Sequence, residues 1–159
     1  MSERGPTSLA EAFGQEPATI ETTIITRGVL RLFYQRGLDA TVEMSLPNGR
    51  RADVFGVARD GTIHIVETKV SVADFMADQK WPEYWECCDA LYFGVPIDFP
   101  RAILPPEVGV IVADRYAGEV LIEPPLRKLN AATRKSLLID FGRVCARRLT
   151  RALDPLFHQ

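Results

Sequence analysis

Two acidic residues and a lysine in this sequence have the types and spacing of a site that hydrolyses phosphodiester bonds. Asp53 is followed, after thirteen intervening residues, by the tripeptide Glu67-Thr68-Lys69. Two carboxylates can hold Mg²⁺ or Mn²⁺, which lowers the pKa of a bound water and neutralises charge on a phosphate. A neighbouring lysine can orient or deprotonate that water. Asp53, Glu67 and Lys69 are therefore the candidate catalytic residues. A surface Glu–Lys pair beside an unrelated Asp is the alternative interpretation.

A predicted β-hairpin would gather these residues. Asp60-Gly61 is a strong hairpin signal between a strand over 51–58 and a strand over 62–70 that is rich in β-branched residues. Antiparallel pairing about this turn places Asp53 beside Glu67, because each lies about seven positions from the turn. Alternation along the second strand puts Glu67 and Lys69 on the same face of the sheet. The pattern therefore predicts that the two carboxylates and the lysine converge.

The remaining segments predict a mixed α/β domain in the order α-β-β-β-α-β, followed by extra C-terminal strands and a closing helix. Thr19 is the expected N-cap of the first helix, which Gly37 ends, and Ser71 begins the second helix, which Pro82 should kink or restart. The other strands are expected over 40–46, 90–95, 108–113 and 119–122. The final helix, over 130–149, should bury an apolar stripe formed by Leu137, Leu138, Phe141, Val144, Cys145 and Leu149.

Length and composition fit one ordinary soluble domain. The chain has 159 residues and a net charge of −2, so its overall charge does not indicate a nucleic-acid partner. We expect a mobile N-terminal segment (1–17), a domain (18–152) and a C-terminal tail (153–159). The sequence lacks both a signal-peptide pattern and an apolar run long enough to span a bilayer, which predicts a cytoplasmic protein without a membrane partner. The three cysteines fit neither a disulfide framework nor zinc-binding spacing.

The sequence around the candidate residues is similar to that of a known family. The strings GRRADVFGV, HIVETKVSVADFMADQKWPEYWECCDALYFGVP and GVIVAD resemble the MmcB-like family of DNA-repair proteins. The Asp…Glu-Thr-Lys pattern resembles the PD-(D/E)XK, or restriction-endonuclease-like, superfamily, with Ala52 where the superfamily's name has proline. The resemblance spans about residues 20–150. It implies a restriction-endonuclease-like core that binds DNA, with Asp53, Glu67 and the Thr68 carbonyl as Mg²⁺ or Mn²⁺ ligands and Lys69 acting on the water.

The same resemblance suggests further site residues. Glu21 and Glu43 occupy positions that add acidic ligands in the superfamily, and a solvated surface carboxylate is the alternative for each. Lys80 and Tyr84, four residues apart, resemble an element of RecB-like nucleases in which lysine meets a phosphate and tyrosine stacks or hydrogen-bonds. Trp81 lies between them, and it fits a DNA-contacting role and a core role about equally.

Basic residues supply two further candidate DNA-contacting surfaces. Arg50 and Arg51 follow a predicted turn close to the proposed site, where a solvated turn is the alternative. Residues 127–151 contain eight Lys or Arg and one Asp, a net charge of +7. Three of these arginines recur at four-residue spacing: Arg143, Arg147 and Arg151. A surface that follows a phosphate backbone has this pattern, and so does an ordinary solvated helix face.

Three functions are consistent with these features. The first is a metal-dependent DNA nuclease that acts in DNA repair. The second is a DNA-binding or scaffolding repair protein with a catalytically inactive nuclease fold. The third is an interaction protein whose acidic site is structural. A second copy of the chain and other repair proteins are additional candidate partners.

Overall fold

Six strands in residues 20–156 form one mixed sheet whose order in space follows the order in the chain. The structure is a computed structural model that describes residues 20–156. The predicted segment 1–17, the Thr19 cap and the end of the predicted tail lie outside the described residues. The elements are α1 (Ile20–Gln35), β1 (Asp39–Ser45), β2 (Arg51–Val57), β3 (Ile63–Thr68), α2 (Val72–Ala77), a 3₁₀ helix (Trp81–Cys87), β4 (Ala90–Val95), a second 3₁₀ helix (Arg101–Ile103), β5 (Gly109–Ala113), β6 (Gly118–Ile122) and α3 (Ala131–Leu153).

The sheet has a parallel centre with antiparallel strands on both sides. Strands β1, β2 and β3 pair antiparallel, β3, β4 and β5 pair parallel, and β6 pairs antiparallel with β5. The chain crosses from β3 to β4 through α2 and the first 3₁₀ helix, because parallel neighbours need a long connection. The observed strands agree with the predicted ones to within two residues, and the α-β-β-β-α-β order is present. No helix in the described part of the chain is long and apolar enough to cross a membrane.

Helices cover both faces of the sheet and create two cores. On one face, α1 packs against residues of the central strands, such as Val54 and Val66. On the other face, α3 and the first 3₁₀ helix cover a second cluster. There the rings of Phe55 and Phe141 stack with 5.7 Å between their centroids. The sheet is therefore a rigid layer, and side chains at strand ends are held in fixed positions.

One prediction about the helices is wrong. Leu149 was expected in the buried stripe of the last helix but is 60% exposed, whereas Leu137 is fully buried. The residues of α3 that face the sheet include Phe141 and Arg148, and Leu149 lies one helical step of about 100° from Arg148, so it points away. By contrast, the expected break at Pro82 is present: the helix after β3 ends at Ala77, and Pro82 lies in the first turn of a separate 3₁₀ helix.

The interruption at Pro82 separates Lys80 from Tyr84. Lys80 is exposed at the start of the 3₁₀ helix, whereas Tyr84 is buried, so the two side chains do not share one helical face. Pro82 has no N–H to donate and favours the first turn of a new helix over the interior of a continuing one. The prediction that Pro82 kinks or restarts the helix is confirmed, and Lys80 and Tyr84 would share a face only in an uninterrupted helix.

A buried ion pair locks the closed end of the β2–β3 hairpin to α3. Asp89 is 3% exposed and accepts hydrogen bonds from the N–H groups of Ile63 (2.8 Å) and Leu129 (2.9 Å). The Arg134 guanidinium donates two more, at 2.6 and 2.7 Å, and a third to the Gly61 carbonyl at 2.9 Å. Burial alone would raise the pKa of Asp89, but the hydrogen bonds from Arg134 and the backbone lower it below the ordinary value.

We predict that Arg134→Met lowers the free energy of unfolding by about 3–5 kcal/mol, because Asp89 would remain as a buried charge without its cation. Urea denaturation at neutral pH measures this loss. Arg36→Ala is the control, since it breaks an exposed ion pair with Glu123 and should cost less than about 1 kcal/mol. The loss caused by Arg134→Met should shrink as the pH falls below the ordinary Asp pKa of 3.8. Equal losses in the two variants would contradict the assigned role.

Candidate functional site

The β2–β3 ladder ends one residue before the two candidate acidic residues, Asp53 and Glu67. Its last pair is Val54 with Val66. Beyond that pair the side chains bridge the strands: the Asp53 N–H donates to Glu67 Oε1 (3.1 Å). In return, the N–H and the hydroxyl of Thr68 both donate to Asp53 Oδ2 at 2.8 Å. The hairpin thus brings Asp53 and Glu67 together, each carboxylate taking the place of a carbonyl acceptor that a regular ladder would provide.

The acidic pair is electrostatically strained. Burial raises the pKa of Asp53, although the hydrogen bonds from Thr68 and the charge of Lys69 oppose the increase. Burial and the neighbouring Asp53 charge raise the pKa of Glu67 well above its ordinary value. Two neighbouring carboxylates in a poorly solvated setting cannot both ionise easily, so the pair favours a proton on one of them or a bound cation.

Lys69 is held at the edge of this pair by the helix that follows β3. It is 5% exposed, and its Nζ donates to Asp78 Oδ2 at 2.7 Å. Asp74 accepts a hydrogen bond from the Val70 N–H (3.1 Å), and Ser71 Oγ accepts one from the Asp74 N–H (3.1 Å), which confirms Ser71 as the helix cap. The position of the lysine therefore depends on a short helix whose two aspartates hold the chain immediately after Glu67.

Tyr84 closes the acidic pair on one side. Its hydroxyl donates to the Arg51 carbonyl at 2.9 Å, and its side chain is buried. Burial and the Glu67 and Asp53 carboxylates raise the pKa of its phenol. This tyrosine therefore fixes the end of β2 next to Glu67, and its buried ring is not presented to solvent for stacking on a base.

An open cleft of about 620 Å³ gives access to the acidic pair. Its lining consists of Ser45, Leu46, Gly49, Arg50, Arg51, Asp53, Glu67 and Tyr84. Arg51 is exposed in this lining, and Arg50 donates to Glu83 at 2.7 Å. The structure thus places two basic side chains at the mouth of a cleft with an acidic floor.

The other predicted acidic ligands occupy different places. Glu43 lies across from Asp53 in the β1–β2 hairpin, between the pairs Val42–Val54 and Met44–Ala52, and its charge raises the pKa of Asp53. Glu21 lines a separate cavity of about 580 Å³ beside the ends of β4 and β5. The structure therefore brings Glu43 to the acidic pair and does not bring Glu21 to the same cleft.

The other predicted DNA-contacting residues are divided between surface and core. Arg143 and Arg147 are exposed on α3, and Lys80 is exposed before the 3₁₀ helix. Trp81 is half-buried and packs its ring against Phe93, with 5.5 Å between the centroids. Trp81 therefore packs against the core, and the three basic side chains are exposed to solvent.

The donor set at the cleft fits a hard divalent cation. Asp53 and Glu67 supply carboxylate oxygens, and the cleft leaves room for water. Mg²⁺ is commonly bound by one or two carboxylates and completes its coordination with water and phosphate oxygens. Within residues 20–156, no three His, Cys, Asp or Glu side chains converge into one metal-binding group. Any ion here would therefore rely on the two carboxylates, backbone carbonyls and water.

A family model of DNA repair proteins described as MmcB-like matches residues 13–156. The chain belongs to the MmcB-like family. A solved structure of a protein of unknown function from Silicibacter pomeroyi is similar, with 38% sequence identity and a TM-score of 0.86. That match covers 89% of this chain and 97% of the other. None of the curated proteins compared with the chain matches it.

Sequence analysis did not assign two residues that shape this MmcB-like site, Asp78 and Arg148. The ion pair between Asp78 and Lys69 depends on where a short helix ends. Arg148 belongs to the basic helix but lies off the exposed arginine stripe, and it hydrogen-bonds to β1. An arginine among the apolar, inward-facing positions of a helix is the one signal that indicated such a contact.

We predict that Glu67→Gln stabilises the MmcB-like protein in the absence of metal, because glutamine keeps the acceptor for the Asp53 N–H and removes a buried charge. Since the folded-state pKa is raised, stability is lost as pH rises above the ordinary value of 4.5, where the unfolded chain ionises first. The difference in Tm between variant and wild type should therefore grow from pH 4.5 towards pH 8. Each kcal/mol gained raises Tm by about 2–4 °C.

Thermal unfolding followed by circular dichroism across this pH range measures the effect. Glu119→Gln is the matched control, because it removes an exposed carboxylate on β6 and should leave the Tm profile unchanged. A Glu67→Gln variant that is no more stable than wild type at pH 8 would show that the acidic pair is not strained.

Proposed function

We propose that this protein is a metal-dependent deoxyribonuclease with a restriction-endonuclease-like fold that acts in DNA repair. The observation that carries the proposal is the buried Glu67 carboxylate, interlocked with the half-buried Asp53 carboxylate at the floor of an open cleft, with the buried Lys69 beside them. A purely structural core would favour apolar residues here, because burying like charges costs free energy. Membership in a family of DNA repair proteins supports DNA as the substrate.

In this proposal, Asp53, Glu67 and the Thr68 carbonyl hold Mg²⁺ or Mn²⁺. When bound, such an ion lowers the pKa of a coordinated water and offsets charge that develops on the phosphate. The carboxylates supply the negative charge that selects a cation, and the Thr68 N–H and hydroxyl keep the Asp53 carboxylate oriented. The raised pKa values of both carboxyls mean that cation binding competes with protons.

The remaining roles belong to basic residues around the cleft. The Lys69 ammonium stabilises negative charge on the reacting phosphate or orients the attacking water. Arg50 and Arg51 at the mouth of the cleft bind flanking phosphates, for which arginine's planar fork of donors is well suited. Arg143 and Arg147 on α3, together with the exposed Lys80, extend the contact to phosphates farther along the strand.

One observation favours a second candidate, a DNA-binding repair protein without catalysis. The Lys69 ammonium already makes a 2.7 Å ion pair with Asp78, which would have to be shared or exchanged when a phosphate enters. A chain in which this pair is permanent would bind DNA through its basic residues and leave the phosphodiester bond intact. Cleavage assays separate the two candidates.

We predict that the protein cleaves DNA only with Mg²⁺ or Mn²⁺, and that the double variant Lys69→Met/Asp78→Asn lowers the cleavage rate by about 10²–10³-fold. The paired substitution is needed because Lys69→Met alone would leave Asp78 without its cation. A gel assay over single-stranded, branched and damaged DNA, with and without EDTA, measures the rate. Lys135→Met is the control, since it removes an exposed lysine of α3.

Two results would contradict this prediction. If the protein binds DNA in a salt-dependent way but cleaves none of the substrates with either metal, it is a DNA-binding protein with a catalytically inactive nuclease fold. Absence of both binding and cleavage would leave an interaction protein whose acidic site is structural. Circular dichroism of each variant confirms that any loss of activity occurs in folded protein.

We predict that Arg143→Ala/Arg147→Ala weakens DNA binding for all sequences. It should reduce the slope of log K against log salt concentration by about 1 for each phosphate contact removed. Fluorescence anisotropy between low and moderate salt measures the slope. The matched control is Arg27→Ala/Arg31→Ala, an exposed pair with the same four-residue spacing on α1, across the sheet from α3. If the α1 pair reduces the slope as much as the α3 pair, α3 is not the DNA-contacting surface.

A further inference from the structure

Both strands of the β1–β2 hairpin change the face to which their side chains point at the same place. On β1, Val42 packs in the core under α1, whereas Met44 packs in the core under α3. Side chains two residues apart should lie on one face of a regular strand. On β2, Ala52 and Val54 are likewise divided between the two cores. The regular pattern therefore breaks between the pairs Val42–Val54 and Met44–Ala52, at the level of Glu43 and Asp53.

Glu43 adopts a left-handed backbone conformation at this break. Its φ is +48°, and it is the one residue other than glycine with positive φ in the described part of the chain. A residue with a Cβ adopts this conformation only at a cost in free energy, because its Cβ approaches the following carbonyl oxygen. The ladder omits the Glu43–Asp53 pair although both flanking pairs are present. A local strain of this kind persists only where the surrounding structure holds it.

Arg148 of α3 makes the contacts that hold this bend. Its Nη1 donates to Thr41 Oγ1 and to the Val42 carbonyl, and its Nη2 donates to the Glu43 carbonyl at 3.0 Å. In an extended strand, consecutive carbonyls point towards opposite edges of the strand. One guanidinium can bind both carbonyls only because the chain bends between them. The donor geometry of the Arg148 guanidinium therefore fits the carbonyls of the bent backbone and does not fit those of a regular strand.

We infer that Arg148 is a positioning residue: by holding the Val42–Glu43 carbonyls it keeps the β1 bend that places the Glu43 carboxylate beside Asp53. The inference rests on the proposed function, because the nearby Glu43 charge would attract the cation that Asp53 and Glu67 are proposed to hold. It also explains why a half-buried arginine lies on the inward face of α3, more than 100 residues from its partners. Like charges across a hairpin are unfavourable, so an arrangement that enforces them points to a cation.

Mn²⁺ binding to the folded protein tests this role without relying on cleavage. Isothermal titration calorimetry with Mn²⁺ alone should show that Arg148→Ala weakens binding by about 10–100-fold, the usual effect of removing a residue that orients a ligand. Arg148→Lys keeps the charge but cannot bridge two carbonyls, so it should weaken binding to an intermediate degree. Lys135→Ala, an exposed residue of the same helix, is the control and should stay within about twofold of wild type.

A second measurement tests the bend itself and needs no metal. Glycine adopts positive φ at little cost, whereas glutamine does not, and both remove the Glu43 carboxylate. If Arg148 holds the bend, Arg148→Ala should lower Tm less in the Glu43→Gly background than in the Glu43→Gln background. Because the test compares the two losses in Tm with each other, it remains informative even if Arg148→Ala lowers the stability of the fold.

The outcomes separate this inference from the proposed function. Folded Arg148→Ala that binds Mn²⁺ as wild type does, or equal Tm losses in the two Glu43 backgrounds, would overturn the role of Arg148. A wild-type protein that neither binds Mn²⁺ nor cleaves DNA would overturn the proposed nuclease. In that case the Tm comparison still decides whether Arg148 holds the bend.

Discussion

The structure depends on two carboxylates that must stay together in a place where carboxylates are poorly solvated. Asp53 and Glu67 lie where β2 and β3 separate, and each accepts backbone hydrogen bonds that a regular sheet would direct to carbonyls. These bonds fix the carboxylates but do not neutralise them. Because the fold cannot relieve the repulsion by moving the strands apart, the arrangement favours a proton or a metal ion between the two groups.

The fold meets this constraint by making the opposite end of the same hairpin rigid. Asp89 and Arg134 connect the hairpin turn at Gly61, the first residue of β3 and the first turn of α3. From that fixed end the strands run regularly for four residue pairs before they separate. Arg148 contacts the edge strand β1 from the same helix. One long helix therefore anchors this three-stranded part of the sheet at the hairpin turn and at the middle of β1, level with the site.

The local signals in the sequence were sufficient to predict the hairpin and the acidic pair. Asp60-Gly61 sets the register, so the proximity of Asp53 and Glu67 follows from counting residues on either side of the turn. Counting fails where a strand is irregular: alternation places Val42 and Met44 on one face, and the left-handed Glu43 puts them on opposite faces. The Lys69–Asp78 and Arg148–β1 contacts depend on where a short helix stops and how a distant helix docks, so their partners cannot be identified from the local sequence.

Charge is separated on this chain in a way that links cation and nucleic acid. The net charge of −2 conceals an acidic cleft floor and a helix whose exposed side carries Arg143 and Arg147. A phosphate entering the cleft without a cation would meet two carboxylates, whereas a cation between them reverses the sign of the local field. If the metal ion and DNA both bind as proposed, each must therefore raise the protein's affinity for the other by the same factor. The repulsion between Asp53 and Glu67, which lowers the stability of the metal-free protein, would then be the reason that DNA binding depends on metal.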